Sequence, residues 1–455
     1  MSITSAQELW DELESRWPEN IIEPSLARMH AVANLLGDPQ LAYPVIQVAG
    51  TNGKSSAARM IEAVLRSFGL RTGLYTSPHL VDPTERICLD GVSISGEQAV
   101  SAWNDIEPFI SMVDHNSIAD GGPQLSYFEA MTILAYSVFA DAPVDVAIIE
   151  VGLGGTWDAT SVCRPAVSVV MPVDLDHQEY LGETLVEIAG EKAGIILNAE
   201  AVVLGPQQPQ AAAVLVAACE SAELIPARFG VEYGVNSQTL ALGGQLISIH
   251  GLRGDYADVF LPLFGEHQAD NAAVALAACE TFLGSGLLAP LDIDVVREGF
   301  ASVKSPGRLD IVRTGPTVIV DVAHNPHGAK SLAAALETSF TFVGIVAVVG
   351  MLGEKDAVGF LEALSPIVSQ VVITEPNSPR ALPAGELARL AAEVLGDERV
   401  VLGGDLASSL GEAIGLADSS GEYGGVGVVV TGSVVLVGEA IRHLGESDTT
   451  TKKVK

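Results

Sequence analysis

Apolar and polar positions alternate along this chain in a rhythm that starts twice. Residues 43–49 form a short apolar run entering "GTNGKSS". From Ser55 onward, Met60, Ile61, Val64, Leu65 and Phe68 recur at helical spacing, and Gly69 ends the stretch. "RTGLYTS" then reads as a second strand, giving strand, loop, helix and strand within about thirty residues, a βαβ unit. "YFEAMTILAYSVFA" predicts a helix, and "VDVAIIEVG" (144–152) and "AVSVVMPVD" (166–174) predict strands. Residues 200–262 break the rhythm with shorter β-like pieces and turn signals, before a helix expected at 268–283. "VKSPGRLDIV" (303–312) reads as a connector. "PTVIVDVAHNPHGAKSLAAALE" then restarts the strand, loop and helix pattern, which "FVGIVAVVG", "VSQVVITEP" and "VGVVVTGSVVLVGEAIRHL" continue. Strands alternating with helices imply an α/β protein built on parallel sheets covered on both faces. The expected division is a first domain over 1–303, a second over 304–445, and a disordered tail at 446–455.

Composition narrows the function. With 455 residues the chain exceeds the usual limit of one hydrophobic core, which agrees with two domains. Its 24 basic and 57 acidic residues give a formal charge of −33, which argues against a nucleic-acid surface. An anionic ligand then requires a locally positive pocket of backbone amides and a few placed cations. The four cysteines, Cys88, Cys163, Cys219 and Cys279, are far apart and form no CxxC pair, so free thiols are expected. No apolar run reaches the length of a membrane span and the start lacks a signal-peptide pattern, so a cytoplasmic protein without membrane partners is expected.

The glycine loop carries the first chemical signal. A phosphate loop usually shows glycine, four residues, then Gly-Lys-Ser/Thr. Counting back from Gly53 places that first glycine at Val48, whereas the glycine present is Gly50. The ending is intact: Lys54 suits the β- and γ-phosphates, and Ser55 suits Mg²⁺. Ligands of open α/β sheets bind at the carboxyl ends of strands. Glu150 ends an apolar strand in that position, and "VGLGG" after it allows close backbone approach. His177, Lys192, Ser77 and His79 each read alone as solvated, snorkelling or turn residues. "DVAHNPHG" clusters Asp321, His324, Asn325 and His327 after a strand of the second half, and Arg308 lies in the connector.

Together these pieces resemble the folylpolyglutamate synthase and dihydrofolate synthase family, of the bifunctional bacterial type, within the Mur ligase superfamily of ATP-dependent amide-bond formers. The matching stretches are "VAGTNGKSS", "YTSPHL…ERI", "LSYFEA", "IIEVGLGG..DAT", "DH…LG.T…IAGEKAGI", "GEHQ..N", "PGRLDIV", "DVAHNP", "GML..KD" and "VTGS". The superfamily's loop is the shorter GTNGK[ST] form, which accounts for the displaced glycine. The resemblance implies a P-loop ATPase-like first domain with a mostly parallel sheet, and a Rossmann-like, doubly wound second domain. It implies ATP binding by Gly50, Thr51, Asn52, Gly53, Lys54, Ser55 and Ser56, with Asn271, Arg308 and Asp321. It implies two Mg²⁺ sites, one held by Ser55 with the phosphates and one by Ser77, Glu150 and His177. K⁺ is a further candidate cofactor, and Lys192 matches a lysine carbamylated in the family. Lys54, Glu150, His177 and Lys192 are the expected catalytic set. His324 and Ser433 correspond to glutamate contacts, and Ser126, Tyr127, Phe128, Glu129, Gly154 and Gly155 to contacts of the acceptor substrate.

The implied reaction joins L-glutamate to a folate or dihydropteroate carboxylate through an acyl phosphate, in a monomer that closes its domains over small-molecule substrates. The family usually shows "GGRxDATN", whereas this chain has "GGTWDATS". Thr156 in place of arginine and Ser161 in place of asparagine bear on the acceptor contacts more than on the ATP chemistry. The alternatives are a Mur-type ligase for another carboxylate, disfavoured because only 47 residues precede the loop, and a non-catalytic paralogue that binds folate or nucleotide. A GTPase would show an NKxD motif, which is absent.

Overall fold

The computed structural model describes residues 3–17, 25–284, 289–419 and 425–453. Contacts divide the chain into two compact units. The first joins Met1–His79, Pro83–Pro262 and Gln268–Lys304; the second joins Ser305–Lys455 with two short stretches, Leu80–Asp82 and Leu263–His267.

The first unit holds a sheet of β1 (Val45–Ala49), β2 (Thr72–Tyr75), β3 (Ile87–Leu89), β4 (Val92–Ser93), β5 (Val146–Glu150), β6 (Pro165–Val170), β7 (Val202–Leu204) and β8 (Ala227–Arg228). Their order is β4-β3-β2-β5-β1-β6-β7-β8. The strands from β2 to β8 in that order run parallel, and β3 and β4 add an antiparallel edge. Every residue of β1 and β5 is buried, as expected of strands covered on both faces. The helix Lys54–Ser67 follows β1 and buries Met60, Ile61, Val64 and Leu65, the stripe its periodicity predicts. From β1 the chain crosses to β2 on one side, while β6 pairs on the other. This makes the carboxyl end of β1 a topological switch point.

The stretch at 200–262, expected as short β-like pieces, holds β7, the helix Pro209–Ser221, β8 and a separate antiparallel sheet of β9 (Gly234–Ala241), β10 (Gly244–His250) and β11 (Asp255–Leu261), in the order β11-β10-β9. Glu280, fully buried on the helix Glu266–Leu283, ties this sheet down by accepting bonds from Leu252 N, Arg253 N and Tyr256 OH.

The second unit holds β12 (Asp310–Thr314), β13 (Thr317–Val320), β14 (Gly344–Val349), β15 (Gln370–Ile373), β16 (Val400–Leu402) and β17 (Val426–Thr431), ordered β12-β13-β17-β14-β15-β16. All pairs are parallel except β12 with β13. Part of the expected connector is therefore strand: Asp310–Thr314 turns back on β13 as a hairpin at the sheet edge. The last helix, Val434–Lys453, begins with the buried Leu436, Val437 and Ala440 and continues into the polar residues read as a tail. Residues 446–453 are thus helical, and 454–455 lie outside the described residues. All four cysteines are buried and free. Among the described residues no helix is long and apolar enough to cross a membrane.

Candidate active site

The loop after β1 is shaped by two glycines in backbone conformations that side chains rarely adopt. Gly50 has φ +146°, and a Cβ there would lie 2.6 Å from Met171 Cβ. Gly53 has φ +82°, caps the helix, and a Cβ there would lie 2.7 Å from Asn271 Oδ1. Between them, the amides of Thr51 and Asn52 donate to Pro172 O, and Thr51 Oγ1 exchanges bonds with the carbonyl and amide of Asp174. The loop is thereby fastened to the residues after β6 and presents the helix N-terminus, where backbone N–H groups and the helix dipole favour an anion.

Two lysines converge on one oxygen of this loop. Lys54 Nζ donates to Gly50 O at 3.0 Å and to Thr51 O at 3.2 Å, and Lys192 Nζ donates to Gly50 O at 2.9 Å. Lys192 is 4% exposed at the end of the helix Leu185–Lys192. Burial, then the nearby Lys54 charge, lowers its pKa from 10.5 to about 7, against a smaller opposing pull from Asp176 and Asp158. Within a strongly acidic chain, Lys54 and the helix N-terminus supply the positive pocket that an anionic ligand requires.

Glu150, 1% exposed, stands at the end of β5. Its Oε1 accepts from Ser55 Oγ at 2.7 Å, and its Oε2 accepts from the Ser77 amide at 3.1 Å. The structure therefore brings Ser55, expected at one Mg²⁺ site, against Glu150 and Ser77, expected at the other. His177 is placed differently. It sits on left-handed backbone (φ 50°) with its side chain 41% exposed, and its described partner is Asp176, whose Oδ1 lies 3.9 Å from His177 Nε2. Among the described residues no three His, Cys, Asp or Glu side chains gather as a ready metal site. A carboxylate with a serine hydroxyl beside a phosphate loop nevertheless fits Mg²⁺, which uses one or two protein carboxylates and takes its other oxygens from water and phosphate.

Asn271, expected beside the nucleotide, is buried next to Gly53. Its Nδ2 donates to Gln268 Oε1 at 3.1 Å, and Gln268 Nε2 donates to Ser56 Oγ at 3.4 Å. Gln268 was not singled out from sequence, although its i,i+3 spacing from Asn271 places both on one helix face. The loop after β5 is organised by Asp158, which accepts from Leu153 N, Thr160 N and Thr160 Oγ1 and whose carboxyl is pushed up by burial. Gly154 has φ +71°, and Gly155 packs against the carbonyls of Glu191 and Lys192.

The segment expected to touch the acceptor is partly committed to its own helix. Ser126 and Glu129 form a capping box at the start of the helix Tyr127–Asp141. Glu129 also pairs with Arg28 at 3.1 Å. Phe128 lies under Gly152, where a Cβ would meet its ring at 2.5 Å. Tyr127 is buried beneath the Arg86 guanidinium, 5.1 Å from the ring centroid, and Arg86 Nε donates to His79 Nδ1 at 2.9 Å.

In the second unit, Asp321 follows β13 and accepts from Leu309 N and Ala323 N, each at 2.9 Å. Burial raises its pKa, opposed by the Arg308 charge, those two amides and His324. His324 Nδ1 lies 2.9 Å from Val322 O, and Asn325 caps the helix Pro326–Ser339 through Gly328 N. Ser433, 1% exposed, accepts from Leu436 N at 3.0 Å. A residue that sequence reasoning did not single out is His267. Burial first, then the charges of Arg308 and His327, lowers its pKa to about 4.

Similarity to known proteins runs through both units. Residues 48–279 match the Mur ligase middle domain, and residues 307–434 match the Mur ligase glutamate ligase domain. The dihydrofolate synthase/folylpolyglutamate synthase of Mycobacterium tuberculosis is 46% identical over 445 residues, covering 94% of this chain and 91% of that protein. The Escherichia coli protein of the same name is 36% identical over 369 residues, 80% of this chain and 81% of its own. The solved structure of M. tuberculosis folylpolyglutamate synthase complexed with ADP superposes with a TM-score of 0.93 at 46% identity, covering 97% of this chain and 98% of that one. E. coli FolC in complex with DHPP and ADP gives 0.84 at 30% identity, with 98% and 99% coverage.

Proposed function

The chain belongs to the folylpolyglutamate synthase and dihydrofolate synthase family of Mur ligases, and on that premise we propose which of its residues perform each part of the reaction. The activity is ATP-dependent ligation of L-glutamate to a folate-type carboxylate. A carboxylate resists attack by an amine because its leaving group would be oxide. Transfer of the γ-phosphoryl of ATP gives an acyl phosphate, whose leaving group is phosphate. The α-amine of glutamate then attacks the acyl carbon, loses a proton, and the tetrahedral intermediate expels phosphate to leave the amide.

Phosphoryl transfer depends mainly on positioning and charge neutralisation. The N-terminus of the helix that Gly53 caps cradles the phosphates, and Lys54 neutralises charge that develops on them, while Thr51 and Asn52 hold the loop in place through Pro172 O. Ser56, Gln268 and Asn271 hold the far side of the loop. One Mg²⁺ would be held by Ser55 with the phosphates and a second by Ser77, Glu150 and His177; the ions would supply Lewis-acid polarisation of the phosphoryl oxygens. Lys192 is the group to be carbamylated. Its lowered pKa supplies neutral amine near pH 7, which adds to CO₂ to give a carbamate and a proton. The Lys54 charge that disfavours the Lys192 ammonium would favour the carbamate anion in its place. In the second unit, Arg308 and Asp321 are assigned to ATP, and His324 and Ser433 to glutamate. Tyr127, Phe128, Gly154 and Gly155 are assigned to the acceptor, which we take to be both dihydropteroate and reduced folates.

The observation that carries this reading is the juxtaposition, around one glycine loop, of Lys54 and Lys192 on Gly50 O with the Ser55–Glu150 bond at 2.7 Å. Lys54→Ala and Glu150→Ala are each expected to abolish folate-dependent phosphate release. Full activity in either variant removes this assignment of the site.

A further inference from the structure

Thr156 and Ser161, where the loop after β5 departs from its family's pattern, belong to one circuit of hydrogen bonds that begins and ends on β1 and its loop. Gln47, 1% exposed in β1, donates from Nε2 to Ser161 Oγ and to Thr160 Oγ1, each at 3.1 Å. Ser161 Oγ donates to Gly155 O at 2.6 Å. The next residue, Thr156, donates twice to Glu191 O, from its amide and from Oγ1, both at 3.1 Å. Glu191 precedes Lys192 in the last turn of its helix, and Lys192 Nζ returns the circuit to Gly50 O, three residues beyond Gln47.

Two glycines make this approach possible. A Cβ on Gly155 would lie 2.8 Å from Glu191 O, and one on Gly194 would lie 2.4 Å from both Cα and N of Thr156. These are contacts with backbone, so no rotamer change relieves them. The loop and the helix end are therefore held at a fixed separation, and Thr156 supplies the only side-chain hydroxyl that bonds Glu191 O among the described bonds.

We propose that Thr156, supported by Ser161, is a positioning residue that fixes the helix end carrying Lys192 and, through Lys192, the Gly50 carbonyl at the entrance of the nucleotide loop. An arginine at 156 would have the reach and charge to touch an acceptor carboxylate. The threonine instead directs its hydroxyl proton to Glu191 O. In this chain residue 156 thus acts on the nucleotide loop, and acceptor recognition does not run through it. The proposal rests on the reading of residues 50–55 as the nucleotide loop.

The test compares ADP affinity by calorimetry with KM for ATP and for the folate acceptor in full-length variants. Thr156→Val keeps the shape and the backbone bond but removes the hydroxyl. One lost hydrogen bond corresponds to roughly fivefold. Weakened ADP binding and a raised KM for ATP of that order, with the acceptor KM unchanged, are expected for Thr156→Val and Ser161→Ala. Thr156→Ser restores the hydroxyl and is expected to rescue binding to within twofold of the parent, by the same measure. A raised acceptor KM with unchanged ADP binding overturns the proposal, as does no change in either. If Thr156→Val fails to fold, Ser161→Ala decides by the same readouts. Lys54→Ala separates the premise from the proposal. Unchanged ADP affinity in Lys54→Ala removes the nucleotide assignment itself, whereas weakened affinity there with none in Thr156→Val removes only the positioning role.

Discussion

Lys192 gives the sharpest quantitative expectation. An ordinary lysine, with a pKa of about 10.4, is neutral in roughly one molecule in 2500 at pH 7. Lys192, lowered to about 7 by burial and by Lys54, is neutral in about half of the molecules at that pH. The reactive amine is therefore enriched roughly a thousandfold over a surface lysine. Only that form can attack CO₂. Protein equilibrated with ¹³C-labelled bicarbonate at pH 7.5 should show a carbamate resonance in its carbon NMR spectrum that is missing from Lys192→Met. Lowering the pH to 5.5 should abolish the signal, although dissolved CO₂ becomes more abundant there, because the amine is then protonated. A spectrum without a carbamate at pH 7.5, or one unchanged in Lys192→Met, refutes the reasoning from burial and Lys54.

Two further perturbations follow from the same site. Between about pH 7 and 10.5 the unfolded chain keeps a proton that folded Lys192 has released, so folded stability rises with pH across that window. The penalty below pH 7, at most about 5 kcal/mol, should vanish in Lys192→Met, and paired denaturant titrations of the two proteins at pH 6.5 and 9 measure it; a pH-independent difference between them contradicts the buried-amine account. Gly50→Ala places a Cβ 2.6 Å from Met171 Cβ at φ +146°, which should cost roughly 2–4 kcal/mol and lower the melting temperature together with ADP affinity. An alanine variant with parental ADP binding would show that the loop does not need this backbone.

Much of the architecture was legible because the apolar strands and the glycine loop obey local rules. The run 43–49 became β1, and the stripe from Met60 to Leu65 became the buried face of the following helix. Glu150 could be placed at the site because strand ends in an open α/β sheet share one edge, whereas Ser77 entered only through the family resemblance. What escaped depends on long-range contacts. Leu80–Asp82 and Leu263–His267 belong with the second unit, and no local composition marks them. The circuit from Gln47 through Ser161 and Thr156 to Lys192 joins residues up to 142 positions apart and has no periodic signature. At "SYFE" the Ser-x-x-Glu spacing of a capping box was open to view, and the structure adds that role to residues placed at the substrate by resemblance. The left-handed backbone of His177, just before Gln178–Leu181, has no mark in the local pattern.

The central claim is tested most directly by incubating the purified protein with ATP, Mg²⁺, L-glutamate and either dihydropteroate or a reduced folate, with products identified by mass spectrometry. The account predicts release of phosphate only when a pterin acceptor is present, with a product carrying one more glutamate joined by an amide. Phosphate release indifferent to any folate or pteroate but stimulated by another carboxylate would contradict it.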